Sequence, residues 1–396
     1  MKIVVQKFGG TSVASTERIK KIIGFVKKEL ILGNKVVVVV SAMSGITNQL
    51  ISYCRDVNKL KSKDSLSEYD AVIHTGEIVT SGLLSLALNE SGIKAISLNS
   101  QQIPIITNDS FSNALIENIN PEKIIEKIKA GYVPVIPGFQ GVSMGGRITT
   151  LGRGGSDITG AAIAAALKAF RVDIYTDVNG VYSIDPRLCE NAKIIEEINY
   201  EQMLEISIAG SKVIHPRAVE IGMRYDIPMR VISSFDNHDN ENNKYTHINN
   251  KIIMESSKVL SIGYSKNIFA VEVGSSHQEK NQEFINEILE KGIVIEYLFE
   301  NKGKTIILIS IHEISILQEL ISKTNVECTL SYNFGTISVV GFGLCNNPHI
   351  AKSVLKSLSL HKIELLHMSC LSSKVQCIVR GESLELCAKA LHDSIF

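Results

Sequence analysis

Five consecutive valines, Val36–Val40, constrain the fold of this chain more than any other feature of its sequence. An unbroken run of β-branched residues predicts a strand that is covered on both faces by other elements. Similar short apolar segments, each bounded by polar residues or glycine, recur up to about residue 235. They predict further buried strands at Ile3–Val5, Val133–Ile136, Val172–Tyr175 and Met229–Ile232.

Longer segments with helical periodicity alternate with these strands. They predict helices at Glu17–Leu30, Leu66–Leu88, Ile124–Lys129, Asp157–Ala169 and Ala218–Tyr225. Alternation of strand and helix is typical of a mostly parallel sheet with helices on its faces. We therefore interpret residues 1–250 as one α/β domain.

A polar segment, residues 236–250, closes this domain with six asparagines and few apolar residues. Such a composition cannot bury a core, so the segment is predicted to be a surface loop or linker.

An internal repeat follows this segment. A constant offset aligns the apolar pattern of 291–305 with that of 361–375, and Lys304 with Lys374. Each copy predicts the order strand, helix, strand, strand, helix, which is typical of a ferredoxin-like module. We predict one module at 256–325 and a second at 326–396.

Charge and composition exclude several classes of function. Lys+Arg and Asp+Glu number 41 each, so there is no net charge to attract nucleic acid or an anionic membrane. Tryptophan is absent and aromatic residues make up 6%, which disfavours base stacking. The seven cysteines contain no C-x-x-C pair, which argues against a disulfide framework or a zinc site. Without a signal-peptide stretch or an unbroken apolar run long enough to span a membrane, a soluble cytoplasmic protein is expected.

The first candidate binding segment, Lys7-Phe8-Gly9-Gly10, follows the first predicted strand directly. Paired glycines let backbone amides approach a phosphate closely, and a lysine adds a positive charge. A plain glycine turn with a solvated lysine is the alternative interpretation. Neither G-x-x-x-x-G-K-[ST] nor a G-x-G-x-x-G after a strand is present.

Two further segments carry small polar residues and a carboxylate. Ser41–Thr47 follows the valine strand, where hydroxyl groups either cap a helix or contact a ligand. Glu77 lies in an apolar helical pattern, and a buried carboxylate is costly unless it is paired. Glu77 therefore predicts a cationic ligand group, whereas His74 beside it is interpreted as a packing or surface histidine.

Thr149–Asp157 is the most unusual segment of the sequence. An arginine, a glycine-rich loop and a helix N-terminus converge there, which suits the binding of a carboxylate or phosphate. Capping of the helix by Asp157 is compatible with that role. Farther along, turns at 176–182 and 185–187 would suit a nucleotide at the carboxyl edge of a sheet.

Together these segments resemble the aspartokinases, a branch of the amino-acid kinase family. The matching motifs are KFGGTSV (7–13), VVSAMSGITNQL (39–50), TGEIVTSGLL (75–84), GFQGVSMGGRITTLGRGGSD (138–157), TDVNGVYSIDPR (176–187) and AGSKVIHPRAVE (209–220). They occur in the expected order between Lys7 and Glu220. The resemblance implies an αβα sandwich with a mostly parallel sheet, followed by two ferredoxin-like ACT modules. It also implies ATP-dependent phosphorylation of L-aspartate to 4-phospho-L-aspartate, the first step towards lysine, threonine and methionine.

The resemblance also assigns roles to residues. Lys7 with the amides of Gly9 and Gly10 would cradle the phosphates, and Asp157 would organise Lys7 or the magnesium shell. Arg153 would bind the α-carboxylate of aspartate, and Glu77 would pair with its ammonium group. The rest of the substrate pocket would comprise Ser41, Thr47, Gly154, Gly155 and Ser156. The nucleotide, with Mg²⁺ bridging its phosphates, would be held by Phe8, Thr176, Asp177, Tyr182, Arg187, Lys212 and Val213, and no dedicated metal ligand is predicted.

The C-terminal part departs from the family pattern. Effector-binding ACT modules of this family usually carry an Asp-x-Pro-Gly-like turn between the first strand and the first helix, and neither 273–277 nor 343–348 contains one. Inhibition by lysine, threonine or diaminopimelate therefore stays open. Dimerisation alone is the alternative role, and a homodimer or higher homo-oligomer is expected.

Two rival functions are weaker. One is a kinase of the same fold acting on glutamate, N-acetylglutamate or a nucleotide, but Thr75–Glu77 and Leu151–Asp157 match the aspartate branch. The other is a non-catalytic amino-acid sensor, but Lys7 and Arg153 are both retained.

Overall fold

The computed structural model describes residues 2–211, 213–235, 244–250, 258–274, 278–301, 303–310, 314–324, 326 and 328–396. The chain divides into two compact units. The first comprises Met1–Tyr182, Lys193–Ile208 and Lys212–Met254, and the second comprises Ser183–Ala192, Ala209–Ser211 and Glu255–Phe396. The domain boundaries drawn from the sequence stay predictions, and the short segment Ser183–Ala192 is grouped with the C-terminal part of the chain.

The first unit contains fourteen strands and eight helices among its described residues. The strands are β1 (Ile3–Phe8), β2 (Lys35–Val40), β3 (Ala95–Ser97), β4 (Ile105–Thr107), β5 (Ile116–Ile119), β6 (Val133–Pro137), β7 (Gln140–Ser143), β8 (Ile148–Thr150), β9 (Arg171–Thr176), β10 (Val181–Tyr182), β11 (Ile194–Ile195), β12 (Glu197–Asn199), β13 (Met229–Ser233) and β14 (Thr246–Asn249). The helices are α1 (Thr16–Ile31), α2 (Ile46–Val57), α3 (Lys63–Ile73), α4 (Thr75–Glu90), α5 (Glu122–Lys129), α6 (Gly155–Ala166), α7 (Tyr200–Ile208) and α8 (Pro216–Tyr225).

An eight-stranded sheet in the order β12-β14-β13-β9-β1-β2-β6-β3 forms the centre of this unit. All its described neighbouring pairs are parallel except β13 with β14. The five strands predicted from the sequence are confirmed as β1, β2, β6, β9 and β13. A separate four-stranded sheet, in the order β5-β4-β7-β8, lies outside the main one.

The valine strand β2 is covered on both faces, as its composition predicts. Val36, Val38 and Val40 pack into a core cluster with residues of α1 and α4. Val37 and Val39 are also fully buried, and α6 packs against β2. Helices on both faces of a mostly parallel sheet confirm the predicted αβα sandwich.

Strand β14 corrects the interpretation of 236–250 as a loop throughout. Its Thr246 and Ile248 are fully buried, while His247 is exposed. This alternation is the pattern of a strand in a sheet, but it covers only four residues in a polar stretch and was too short to stand out. Residues 236–243 lie outside the described residues.

The predicted helix Leu66–Leu88 is wrong as a single helix, because α3 ends and α4 begins at His74. The ring of His74 bonds to the Asp70 carbonyl oxygen at 3.2 Å, and the hydroxyl of Thr75 donates to the Val72 carbonyl at 2.7 Å. Both side chains therefore use carbonyl oxygens in the last turns of α3, in competition with the backbone amides that would continue the helix.

The whole stretch from Lys63 to Glu90 is long and apolar enough to cross a membrane by length and composition. That is weak evidence, since the core helix of a soluble protein passes the same test. Leu84 and Leu88 of this stretch are fully buried in the core cluster on the main sheet. We interpret it as a core element.

The second unit contains the repeat. Its first copy comprises β15 (Val259–Val273), α9 (Gln278–Glu290), β16 (Ile295–Asn301), β17 (Lys304–Ser310) and α10 (Ile314–Ile321). The second comprises β18 (Cys328–Gly341), α11 (Pro348–Leu360), β19 (Leu365–Cys370), β20 (Lys374–Arg380) and α12 (Leu384–Ile395). The element order of both copies is the predicted one, and β17 and β20 begin at the two lysines that the repeat aligns, Lys304 and Lys374.

The two copies share one antiparallel sheet in the order β16-β17-β15-β18-β20-β19. The long strands β15 and β18 pair at its centre. The segment Ser183–Ala192 is anchored in this unit, because Ile184 and Cys189 are buried in a core cluster with residues of α12.

Candidate active site

The predicted site segments converge at the carboxyl edge of the main sheet. Strand β1 lies between β2, which follows it in the chain, and β9, which the chain reaches much later. Connections that leave a strand in opposite directions open a crevice beyond its carboxyl end, where α/β proteins bind ligands. The residues after β1, β2 and β9 and the start of α6 all lie at this edge.

Lys7 and Asp157 form the buried centre of the site. The Lys7 ammonium and the Asp157 carboxylate make an ion pair, and their side chains are only 9% and 10% exposed. Gly160 of α6 makes room for the lysine, since a Cβ there would lie 3.1 Å from the Lys7 Cβ. Asp157 also accepts a hydrogen bond of 3.1 Å from the His215 amide. The lysine is thus held in one place by a carboxylate that is itself fixed.

The two residues after Lys7 both have partners within the fold. Side chains alternate along a strand, so Phe8 points away from Lys7 and stacks on Tyr175 with ring centroids 4.5 Å apart. Phe8 is fully buried, and its side chain cannot contact a nucleotide. The Gly9 amide donates to the Tyr175 carbonyl oxygen at 3.1 Å, so it already has an acceptor within the sheet. Gly10 remains as the candidate phosphate-binding amide of this pair.

The start of α6 brings the serine hydroxyls together. Ser41, which follows β2, and Ser156 in the first turn of α6 lie 2.7 Å apart through their hydroxyl oxygens. Gly154 caps α6 with φ of 70°, and a Cβ there would lie 2.6 Å from the His215 ring. Gly155 is similarly tight against Phe139, at 2.7 Å. Gly154 therefore lets the start of α6 approach the start of α8, and Gly155 lets it approach the edge of the sheet after β6.

Glu77 is a buried carboxylate without a full set of partners. It lies in the first turn of α4, is 4% exposed, and receives a hydrogen bond from the backbone of Ala42. Its Oε2 atom has no hydrogen-bond partner among the residues that the structure describes. Burial raises the pKa of Glu77 to about 7. A buried carboxylate oxygen without a partner is a candidate binding position for a cationic group.

Arg153 is the exposed cation of the site. It lies in the loop between β8 and α6, and its guanidinium forms no hydrogen bond or ion pair within the described part of the chain. An arginine in this state keeps its full set of planar donors for a ligand carboxylate.

The loop that carries Arg153 is fixed by hydrogen bonds from residues that the sequence motifs did not point to. Arg217 donates to the carbonyl oxygens of Leu151 and Ala114, both at 2.8 Å. Asp70 is fully buried and accepts from the amide and hydroxyl of Thr150. Burial also raises the pKa of Asp70. For Arg217, the signal available in the sequence was the preceding Pro216, because proline is common in the first turn of a helix.

The predicted nucleotide residues are more dispersed. Thr176 ends β9, beside β1, and Asp177 follows it; the Thr176 hydroxyl donates to Asp177 at 3.1 Å. Tyr182 ends β10, and Arg187 pairs with Asp185 in the second unit. Val213 precedes α8, and Lys212 lies outside the described residues. Thr47, predicted for the substrate pocket, lies in the first turn of α2.

Comparison with known proteins decides the family. Residues 2–233 match the amino acid kinase family. The aspartokinase of Rickettsia felis is 40% identical over 400 residues, covering 97% of each chain. The aspartokinase of Geobacillus stearothermophilus is 36% identical over 403 residues, covering 100% of this chain and 97% of its own.

The chain belongs to the aspartokinases.

The fold agrees with this aspartokinase assignment. The crystal structure of E. coli aspartokinase III in complex with aspartate and ADP matches the whole of both chains with a TM-score of 0.84 and 24% identity. This likeness concerns the fold.

Proposed function

We propose that this chain transfers the γ-phosphoryl group of ATP to the side-chain carboxylate of L-aspartate, forming 4-phospho-L-aspartate. The observation that carries the proposal is Glu77, a buried carboxylate with an orphaned oxygen, in a site that also holds Lys7 and Arg153. An amino acid supplies the ammonium group that Glu77 lacks and the α-carboxylate that suits Arg153. Membership in the aspartokinases supports aspartate as that amino acid, and the product would feed lysine, threonine and methionine synthesis.

The chemistry requires little acid–base catalysis. The acceptor carboxylate is already ionised at neutral pH, so positioning and neutralisation of phosphoryl charge supply the rate enhancement. Lys7 provides that positive charge from the end of β1, and its ion pair with Asp157 fixes it before substrate arrives. Fixed charges lose little energy to reorganisation as the reaction proceeds.

The aspartate would lie across the start of α6. Arg153 binds its α-carboxylate through a bidentate contact, and Glu77 binds its ammonium group. The hydroxyl groups of Ser41 and Ser156, which already touch each other, line the pocket together with Thr47. The amides at the start of α6 add partial positive charge near the acceptor carboxylate.

The nucleotide would bind beside β9, and Mg²⁺ would neutralise its phosphates. Thr176, Asp177 and Tyr182 would contact it, together with Gly10 and Val213. Both oxygens of Asp157 are engaged, one by Lys7 and one by the His215 amide. This favours the role of organising Lys7 over direct ligation of Mg²⁺, which would be held mainly by phosphate oxygens. We propose that the enzyme acts in the cytoplasm, where ATP and aspartate are available. We also propose that it forms a homo-oligomer.

A hydroxamate assay with ATP and Mg²⁺ tests the reaction. Acyl phosphates react with hydroxylamine, so turnover with L-aspartate produces a hydroxamate, whereas L-glutamate should give little. Lysine, threonine and diaminopimelate are then added separately to find an inhibitor. Measurable binding of ATP or aspartate without turnover would refute the proposal in favour of an amino-acid sensor.

The pKa of Glu77 predicts a pH dependence. Because burial raises this pKa to about 7, the carboxyl group of the free enzyme is neutral below that pH and charged above it. The charged form binds the substrate ammonium, so kcat/KM for aspartate should rise from pH 6 to pH 8 at saturating ATP and Mg²⁺. Glu77→Gln should lower kcat/KM and flatten this rise. A profile that keeps its slope in Glu77→Gln would assign the titration to another group.

A further inference from the structure

A group of side chains outside the active site has the composition of a metal site. Cys189, His392 and Asp393 each offer one ligand atom, and these three atoms lie within 4.8 Å of one another. All three residues belong to the second unit. The cysteine spacing in the sequence argued against a zinc site, but the fold brings together a cysteine and a histidine that are 203 residues apart.

The separation of the two soft ligands is that of a tetrahedral zinc site. The Cys189 Sγ and the His392 Nδ1 lie 3.5 Å apart. Zinc–sulfur and zinc–nitrogen bonds of about 2.3 and 2.05 Å at a tetrahedral angle place these atoms about 3.6 Å apart. The cysteine and histidine atoms are therefore already spaced for the ion, and the Asp393 carboxylate lies close enough to complete the set.

The histidine ring is oriented by a second contact. The His392 Nε2 lies 3.0 Å from the Ser183 hydroxyl oxygen, and the ring stacks on Phe396 with centroids 4.8 Å apart. With its proton on Nε2, the ring donates to Ser183 and directs the Nδ1 lone pair towards the sulfur of Cys189. A hydrogen bond on the distal nitrogen is the usual support of a histidine ligand.

The surroundings allow an ion to enter. Cys189 and His392 are 3% and 2% exposed, whereas Asp393 is exposed and opens the cluster to solvent. Two deeply buried ligands with one exposed carboxylate leave a fourth position for water. Such a set suits a borderline-soft divalent cation better than Mg²⁺, which prefers oxygen ligands.

We propose that Cys189, His392 and Asp393 form a binding site for Zn²⁺ or a cation of similar chemistry. The ion joins the segment Ser183–Ala192 to helix α12, two parts of the second unit that are far apart in the chain. The site is separate from the phosphoryl-transfer chemistry, and its existence does not depend on the proposed reaction.

Cobalt substitution tests the proposal directly, because a thiolate bound to Co²⁺ gives a charge-transfer absorption band. The full chain is treated with chelator and titrated with Co²⁺ and then with Zn²⁺. Exposed Cys345 and Cys370 are replaced by serine in the parent protein to remove competing thiols. We expect one Co²⁺ per chain with a thiolate band that Zn²⁺ abolishes. A titration without that band would overturn the proposal.

Three variants of this parent identify the ligands. Cys189→Ser should remove the band. Asp393→Asn should weaken Co²⁺ binding by about tenfold or more, because it removes a charged ligand and the loss of an outer-shell group alone costs about that much. Cys387→Ser is the matched control, since Cys387 is a fully buried thiol of α12 outside the cluster, and it should keep both band and affinity. If Cys189→Ser fails to fold, the exposed Asp393→Asn variant decides. Unchanged affinity in Asp393→Asn, or a band retained in Cys189→Ser, would overturn the assignment.

Discussion

Replacing Lys7 with alanine should lower kcat by about two orders of magnitude or more. The lysine supplies a positive charge that is fixed before the reaction begins, and removing one such group typically costs about 10²–10³ in kcat. Its position is set by the ion pair with Asp157 and by the close approach of Gly160. Initial rates of ADP formation at saturating aspartate and ATP measure the effect.

This variant also leaves a buried carboxylate unpaired, which destabilises a protein by about 3–5 kcal/mol. The double variant Lys7→Ala/Asp157→Asn removes that charge and should recover thermal stability without recovering turnover. Lys2→Ala is the matched control. Lys2 is an exposed lysine near the same end of the chain, and its ammonium group lies over the Phe170 ring rather than in the site. Near-normal turnover in Lys7→Ala would show that the phosphate site lies elsewhere.

Replacing Arg153 with alanine should raise KM for aspartate by about ten- to a hundredfold. Hydrogen bonds to charged groups contribute about 1.5–3 kcal/mol, and the guanidinium is proposed to bind the α-carboxylate both before and during the reaction. An interaction made equally in the ground and transition states changes KM more than kcat. Because Arg153 is exposed and forms no hydrogen bond or ion pair with the described residues, thermal stability should not change.

Steady-state kinetics with each substrate varied in turn separate the effects. KM for ATP should stay close to its original value in Arg153→Ala. Arg147→Ala provides the control, since Arg147 is a neighbouring arginine that pairs with Glu68 and has no proposed role in binding. An unchanged KM for aspartate would remove Arg153 from the substrate site.

The main architecture could be predicted from the sequence because its signals are local. Five valines in a row define a buried strand whatever surrounds them, and β2 is buried as they predict. The repeat was detectable because both copies keep the same spacing between apolar positions, as β17 and β20 show. The glycine-rich segments that flank Lys7 and Asp157 pointed to residues that the structure brings together.

Other features depend on contacts that sequence distance hides. Strand β14 alternates over only four residues of a polar stretch, and its partners in the sheet define it. The engagement of the Gly9 amide depends on β9 lying beside β1. The contacts of Arg217 and His215 with residues far away in the chain could not be assigned from spacing. The sequence motifs show which residue types are present in the site, but not which atoms those residues contact.

The path of the chain has a consequence for attempts to take this protein apart. The polypeptide leaves the first unit after Tyr182, returns at Lys193, leaves again after Ile208 and returns at Lys212 before its final departure. A nick or stop codon near residue 255 would therefore not yield two complete pieces. The N-terminal fragment would carry Ile184 and Cys189 without the core in which they are buried. Replacing the C-terminal tail with one from another protein would require changes in the inner segment Ser183–Ala192 as well as at the junction.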